Sequence, residues 1–276
     1  MKIEIAEPSD HLKPYIRYYK YIESKITGIM KAIPIMHEEL YFNFTHINIF
    51  SEGYYDIDNP KILIVGLQQY NQDGYTHMFG NERGGGFAIV FQPQGFYRLF
   101  NIKSSDLCKY AICGKSIFNQ EFNLLHEELQ RYFKINDMKE YIEKYLSRYA
   151  RYSEARSDII QRIINYIERR NGMITISHLC QEFNTTPRAV QRKFRNDVGL
   201  SIIELSHIFR INRAISLLNS ESSASLAEIS YLSGYYDQAH FTNDIKKITG
   251  ITPGKIQKHK NLKNNIHHNR FFIESE

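Results

Sequence analysis

Cysteine is scarce: Cys108, Cys113 and Cys180 are the three in a chain of 276 residues. They are odd in number and lack C-x-x-C spacing, so they make no disulfide framework and no zinc or redox motif, and buried, inert thiols are expected. Long apolar runs are missing as well. No stretch of eighteen apolar residues occurs and the opening "MKIEIAEPSDHLKPY" has no apolar signal-peptide core, which predicts no membrane partner, no secretion and a cytoplasmic location. Motifs for turnover are also absent: there is no G-x-S-x-G, no H-E-x-x-H, no Walker pattern and no H-x-H. His37, His46 and His77 are scattered, and Glu38 and Glu39 beside His37 are the only hint of a ligand cluster. No catalytic residue, metal or cofactor is therefore expected, and a non-enzyme is predicted.

What is present is an ordinary globular composition, 42% hydrophobic and 24% charged, with length enough for two domains. Charge is placed unevenly. Between Ser157 and Lys260 there are 14 Lys and Arg against 9 Asp and Glu, whereas the remainder balances at 21 of each. The whole formal excess of +5 thus lies in the C-terminal part, the footprint of a polyanion partner.

The pattern predicts an α+β protein of two domains. Residues 1–115 carry short β-branched and aromatic runs, "YFNFTHINIF", "KILIVGL" and "GGGFAIVFQP", which predict an antiparallel β-rich domain. "NERGGGF" leads into the apolar run "FAIVF" and predicts a hairpin turn, not a phosphate loop. The 20 Tyr and 17 Phe are expected to serve core packing before any ligand pocket. Residues 116–154 show helical spacing, with Leu125, Leu129 and Phe133 and then Met138, Ile142, Tyr145, Leu146 and Tyr149, and predict connecting helices that pack on the sheet or form a dimer face. Residues 155–260 read as all helix, and 261–276, with "NIHHNRFF", as a mobile tail.

Within the helical part, Ile159, Ile160, Ile163, Ile164 and Ile167 make a first apolar face that stops at Asn171-Gly172. Thr175 caps "ISHLCQEF". After a tight turn Thr186 and Pro187 open a second helix, closed by Gly199. In that helix Val190, Phe194 and Val198 form one apolar stripe, which leaves Arg188, Arg192, Arg195 and Asn196 on the far side and Gln191 at the flank. Two short helices with a basic outer face on the second make a helix-turn-helix. Ser201 with Glu204 then caps a long helix whose Ile202, Leu205, Ile208, Phe209, Ile215 and Leu218 are expected on one side. Ser225 with Glu228 and then Asp237 cap two further helices, a second helix-turn-helix.

The second unit repeats the first at an offset of 51: Val190 matches Phe241, Phe194 matches Ile245, Arg195 matches Lys246, Gly199 matches Gly250 and Ser201 matches Thr252. The helix between them, 18 to 20 residues at about 1.5 Å each, spans roughly 27 to 30 Å. That approaches the ~34 Å between successive major-groove faces on one side of double-stranded DNA. Arg188, Gln191 and Arg192 of the first unit and Gln238, Thr242 and Asn243 of the second are the candidate base-reading residues; Arg195, Lys246 and Lys247 are the candidate phosphate contacts.

The stretch "RINRAISLL…LAEISYLSGYYDQAHFTNDIKKITGITP" resembles the AraC/XylS family of transcriptional regulators, over about residues 157–260. Carried over by position, the resemblance implies base contacts by Arg188, Gln191 and Arg192 and by Ala239, Thr242 and Asn243. It departs from the family pattern at Asn243, where Arg is usual, and at Ile245, where Phe is usual, and Asp244 is expected to add an acid to the DNA-facing side. Through "LKPYIRYY", "VGLQQ" and "FQPQGFYRLF" the N-terminal part is more loosely similar to the cupin-like domains that precede this module. The resemblance implies a DNA-binding transcriptional regulator, an activator or a repressor, with RNA polymerase as a partner. The N-terminal domain is expected to sense a small-molecule effector; the alternative is dimerisation or a protein partner only, and a cupin-type enzyme is the weakest reading. A homodimer is expected because it doubles the phosphate contacts.

Overall fold

Strand alternation organises the N-terminal half. The computed structural model describes residues 2–24, 28–32, 36–44, 47–51, 54–57, 61–65, 76–79, 84–107, 111–113, 120–152, 159–220, 224–258 and 270–273. One antiparallel sheet orders β1 (Lys2–Ala6), β2 (Ile16–Ser24), β9 (Gly84–Phe91), β4 (Glu39–Asn43), β7 (Ile62–Val65) and β10 (Ala111–Cys113). A second orders β11 (Arg270–Ile273), β3 (Gly28–Ala32), β8 (Thr76–Phe79), β5 (Ile47–Ser51) and β6 (Tyr54–Ile57). In the first sheet a period of two sends Tyr19, Leu40, Phe42, Phe87, Ile89 and Phe91 to one face. There α1 (Gly95–Phe100), α3 (Gln120–Leu129) and α4 (Ile135–Tyr152) close one core over them, supplying Phe96, Phe122, Leu125, Met138, Ile142 and Leu146 among others. Aromatic residues do much of this packing: Tyr19 stacks on Phe87 with centroids 5.7 Å apart, and Phe91 meets Phe96 edge-on at 5.1 Å.

Several expectations change here. The helices of residues 116–154 take one of their two expected arrangements, packing on the sheet: α3 and α4 complete its core, because an open antiparallel sheet must bury its apolar face. Phe133 falls in the turn between them and is 89% exposed. "YFNFTHINIF" is two strands, β4 and β5, in different sheets. Gly84, Gly85 and Gly86 are not a turn but lie within β9, opposite Ser24, Glu23 and Ile22 of β2. A side chain at Gly86 would collide with the Tyr41 hydroxyl and come within 2.7 Å of the Phe42 carbonyl oxygen, so glycine is what lets β4 approach β9 there. The expected tail contains β11, antiparallel to β3 with Phe272 opposite Met30, since a strand edge offers unpaired backbone groups for a further strand. His46 and Cys108 lie outside the described residues; Cys180 is a free, buried thiol.

The other face of the first sheet holds Ile22, Tyr41, Leu63 and Ala88, and between them a buried ion pair. Lys20 Nζ donates to both carboxylate oxygens of Glu39, at 2.7 and 2.8 Å. Separately, Glu38 accepts from the hydroxyl of Ser104, and Gln94 Nε2 donates to the same hydroxyl at 3.3 Å. Ser104 opens α2 (Ser104–Leu107).

Among the described residues seven helices follow: α5 (Ile159–Arg169), α6 (Ile176–Glu182), α7 (Pro187–Val198), α8 (Ile202–Asn219), α9 (Leu226–Leu232), α10 (Gln238–Thr249) and α11 (Pro253–Lys258). They build two cores. The first gathers α5, α6, α7 and the opening half of α8 around Phe194, and the second gathers the closing half of α8 with α9, α10 and α11 around Phe241. The long helix therefore has no single apolar side: Ile202, Leu205, Ile208 and Phe209 face one core, and Ile211, Ala214, Ile215 and Leu218 face the other. Among the described residues the N-terminal half meets the first of these cores. Met36 packs against it, Arg17 pairs with Glu168 at 2.5 Å, Arg98 donates to Gln161 at 3.2 Å, and α2 rests on α7. Among the described residues no helix is long and apolar enough to cross a membrane.

Two predictions follow from the strand packing and the buried polar groups. Gly86→Ala is expected to lower the urea midpoint by an amount equivalent to about 1–3 kcal/mol, since the added methyl meets backbone as well as side chain. Burial, reinforced by the charge of Arg17, holds His37 down to about 3, whereas burial raises Glu38 above its ordinary 4.5. The unfolded chain takes up a proton at His37 near pH 6.5, so the neutral folded imidazole contributes stability that is full above 6.5 and is lost as pH falls toward 3. Glu38 has the opposite sign: its contribution is full below 4.5 and is lost as pH rises toward its raised folded value. In urea midpoints measured against pH, His37→Gln should flatten the acid limb and Glu38→Gln the limb above 4.5.

Candidate nucleic-acid interface

Each helix-turn-helix starts from backbone N–H groups that need partners. Thr175 Oγ1 accepts from His178 N–H at 3.3 Å at the head of α6, and Thr186 Oγ1 accepts from Ala189 N–H at 3.3 Å at the head of α7. Pro187 sits at the first turn of α7, where no donor is needed, and Gly199 ends the helix in the left-handed region with its N–H on the Arg195 carbonyl. In the second unit Ser225 and Glu228 cap each other reciprocally at the head of α9, Asp237 Oδ1 accepts from His240 N–H at 2.7 Å at the head of α10, and Gly250 closes α10. The cap, apolar and closing positions of α7 and α10 thus correspond at the offset of 51 seen in the sequence.

The stripe of Val190, Phe194 and Val198 fixes the roll of α7, and Phe241, Ile245 and Ile248 fix that of α10. With these buried, Arg188, Gln191, Arg192 and Asn196 of α7 are exposed on the opposite side. On α10, Gln238, Ala239, Asn243, Lys246 and Lys247 are exposed and Thr242 is half-buried. Among the described residues Arg188 and Arg192, both exposed, form no ion pair, and a guanidinium so placed can address bases or phosphates. Arg195 differs: it pairs with Glu204 at 2.7 Å, and Lys193 with Asp197 at 2.8 Å. Partial burial pushes Glu204 up, but the Ser201 N–H and hydroxyl together with Arg195 outweigh it and hold the carboxyl below its ordinary value. A charged carboxylate behind Arg195 orients that guanidinium at the foot of α7.

Asp244 corrects the sequence-based expectation. It does not face the DNA side but is 7% exposed and turned inward, where Oδ2 lies 2.6 Å from His207 Nε2 on α8 and 3.5 Å from His240 Nε2. Its position between Phe241 and Ile245 puts it on the buried flank of α10. The outward face of α10 therefore carries cations and amides beyond its cap. Neither His207 nor Tyr235, whose ring lies against both histidines, is marked by any spacing in the sequence; only the His240/Asp244 pair at i, i+4 is legible there. His37, one of the scattered histidines, is buried and finds no partner for Nδ1 among the described residues.

Comparison with known proteins bears on this geometry. A family described as "Helix-turn-helix domain" matches residues 179–259. HTH-type transcriptional regulator GlxA of Rhizobium meliloti is 28% identical over 100 residues, which cover 36% of this chain and 30% of that protein. The chain thus spans about a third of the length of this curated relative. Among solved structures, ToxT from Vibrio cholerae superposes with a TM-score of 0.51 at 13% identity, covering 87% of this chain and 97% of ToxT. ToxT of Vibrio cholerae O395 bound to (E)-4-(8-methylnaphthalen-1-yl)but-3-enoic acid gives 0.52 at 14% identity, covering 87% and 98%. Unsaturated fatty acid bound ToxT of strain SCE256 gives 0.51 at 12% identity, covering 91% and 96%. With its two capped units around one shared helix, the C-terminal part of this chain matches a helix-turn-helix domain, and it is joined to an antiparallel β domain in a two-domain fold similar to that of ToxT.

Proposed function

We propose that this chain is a sequence-specific DNA-binding transcriptional regulator that binds without turnover and acts in the cytoplasm. The carrying observation is the pair of capped helices, α7 and α10, whose buried stripes turn Arg188, Gln191 and Arg192 and then Gln238 and Asn243 away from the protein, with Thr242 half-buried at their edge, while Asp244 is withdrawn. Arg, Asn and Gln have the donor and acceptor sets that read base edges in a major groove, and Arg195, Lys246 and Lys247 neutralise phosphates. A homodimer doubles those phosphate contacts, and RNA polymerase is the partner such a regulator serves. We take residues 1–115 with the helices of 116–154 as the regulatory part and 155–260 as the DNA-binding part.

A small molecule acting on the N-terminal domain is the proposed modulator. Two features support this: α2 rests on α7, so a change around the Glu38–Ser104 bond reaches a DNA-reading helix, and the similar ToxT structures hold an unsaturated fatty acid and a butenoic acid derivative. An apolar carboxylic acid is the first effector class to try.

Selection from random duplex DNA at two salt concentrations tests the DNA role. Two short motifs about one helical turn apart are expected, with affinity falling steeply in salt. On the selected site Arg192→Ala should cost ~1–3 kcal/mol and relax preference at its base, whereas Lys246→Ala should weaken all sequences alike and reduce the salt slope by about 1. Equal losses for Arg192→Ala on selected and random DNA would remove it from base reading. For the effector, a screen of apolar carboxylic acids should read the thermal midpoint and DNA affinity together. A ligand at 100 times its Kd stabilises the folded chain by about 2.7 kcal/mol, and a true effector also changes affinity for DNA. Stabilisation with unchanged DNA affinity would leave the N-terminal domain a dimerisation or partner module.

A further inference from the structure

Besides the helix they share, the two helix-turn-helix units touch, among the described residues, beside the middle of α8. Where α8 passes from the first core to the second, it presents Ser206, His207 and Arg210. From the first unit, the turn after α5 reaches this point: a side chain at Gly172 would collide with the Ser206 carbonyl oxygen and come within 3.1 Å of Arg210 Cγ. From the second unit comes the turn between α9 and α10. Gly234, at φ +75°, sits so close that a Cβ there would lie 2.6 Å from Met173 Cγ of the first turn. The Arg210 guanidinium approaches the Gly234 carbonyl at 3.4 Å and lies 5.8 Å from the Tyr235 ring. Tyr235 in turn meets His207 and His240 edge-on at 6.4 and 5.4 Å.

The remaining tie runs to the recognition helix itself. His207 Nε2 bonds Asp244 Oδ2 at 2.6 Å, with the two side chains 14% and 10% exposed. A short bond to a carboxylate away from water is both strong and directional, and Asp244 lies on the second turn of α10, between Phe241 and Ile245. It therefore restrains the rotation of α10 relative to α8, which apolar packing alone leaves softer. The shared helix sets how far apart the units stand; this contact sets how α10 is turned.

We propose that the His207–Asp244 bond and the Met173–Gly234 contact lock α7 and α10 into one rigid reading head, and so determine the number of base pairs accepted between the two half-sites. His207, Asp244 and Met173 are then positioning residues for specificity, touching no base. The proposal rests on the DNA-reading role above. One inserted base pair moves the second half-site by ~3.4 Å along the duplex and turns it by roughly 34°, so a rigid head must refuse it and a loosened one need not.

The test uses the full-length protein on duplexes carrying its selected half-sites at the selected spacing and with one base pair removed or added. The wild-type protein should lose affinity by about tenfold or more on each altered spacing, the scale of a mismatched site. His207→Ala and Asp244→Ala should lose less than about threefold, while His207→Gln, which keeps an N–H donor, should restore the wild-type profile. Met173→Ala removes only the turn-to-turn contact at a side chain 47% exposed, so it should fold and should also broaden the spacing profile. A role confined to stability predicts a uniform loss of affinity with the spacing preference intact, and that outcome in all three alanine variants overturns the proposal. A wild-type protein that selects two-part sites yet tolerates every spacing also overturns it. Selection of no two-part site would instead bring down the DNA-reading role on which the proposal stands.

Discussion

Two helical units of about fifty residues each are too small to close independent cores cheaply, and the sharing of α8 between them is the constraint from which the rest of the C-terminal structure follows. Its first half contributes Ile202, Leu205, Ile208 and Phe209 to one core, its second half Ile211, Ala214, Ile215 and Leu218 to the other. A helix buried first on one side and then on another cannot rotate without breaking a core. The placements of α7 and α10 are therefore both referred to a single rod. The exposed cations of α7 and the exposed cations and amides of α10 acquire their common purpose from that reference.

Among the described residues the N-terminal domain engages the first-unit end of this arrangement. Arg17, Arg98, Met36 and α2 all contact the first unit, on α5, α7 or their core. Behind α2, Ser104 bridges the buried Glu38 and Gln94, and in the first sheet the buried Lys20 is paired with Glu39. Buried charges of this kind are costly to install and costly to break singly, so their arrangement has few alternatives. Through α2 that arrangement adjoins a helix whose outer face bears Arg188 and Arg192.

Much of the helical part was legible before any coordinates. Thr175, Thr186, Ser201, Ser225 and Asp237 are caps because a helix start leaves backbone donors that short polar side chains satisfy locally, and all five do so. Spacing of four also gave the buried stripes and hence the exposed faces of α7 and α10. The misreadings share one physical cause, which is that a one-dimensional pattern carries no partner. Gly84 to Gly86 looked like a turn because the need for close approach by Tyr41 and Phe42 is set by β4, some forty residues away. Asp244 looked like an acid facing DNA because His207, which draws it inward, lies 37 residues earlier on another helix.

Alone, the sequence determined what local forces decide: where helices begin and end, that the two units repeat, and that all net charge gathers on the half that carries them. Caps, glycine stops and helical stripes act within a few residues, so their spacing is their meaning. The tertiary structure decided which core each half of α8 enters, which side of α10 Asp244 occupies, and which helix-turn-helix unit the β domain touches. Those outcomes depend on contacts between residues far apart in the chain, where burial and hydrogen bonding are settled jointly and no spacing records the result.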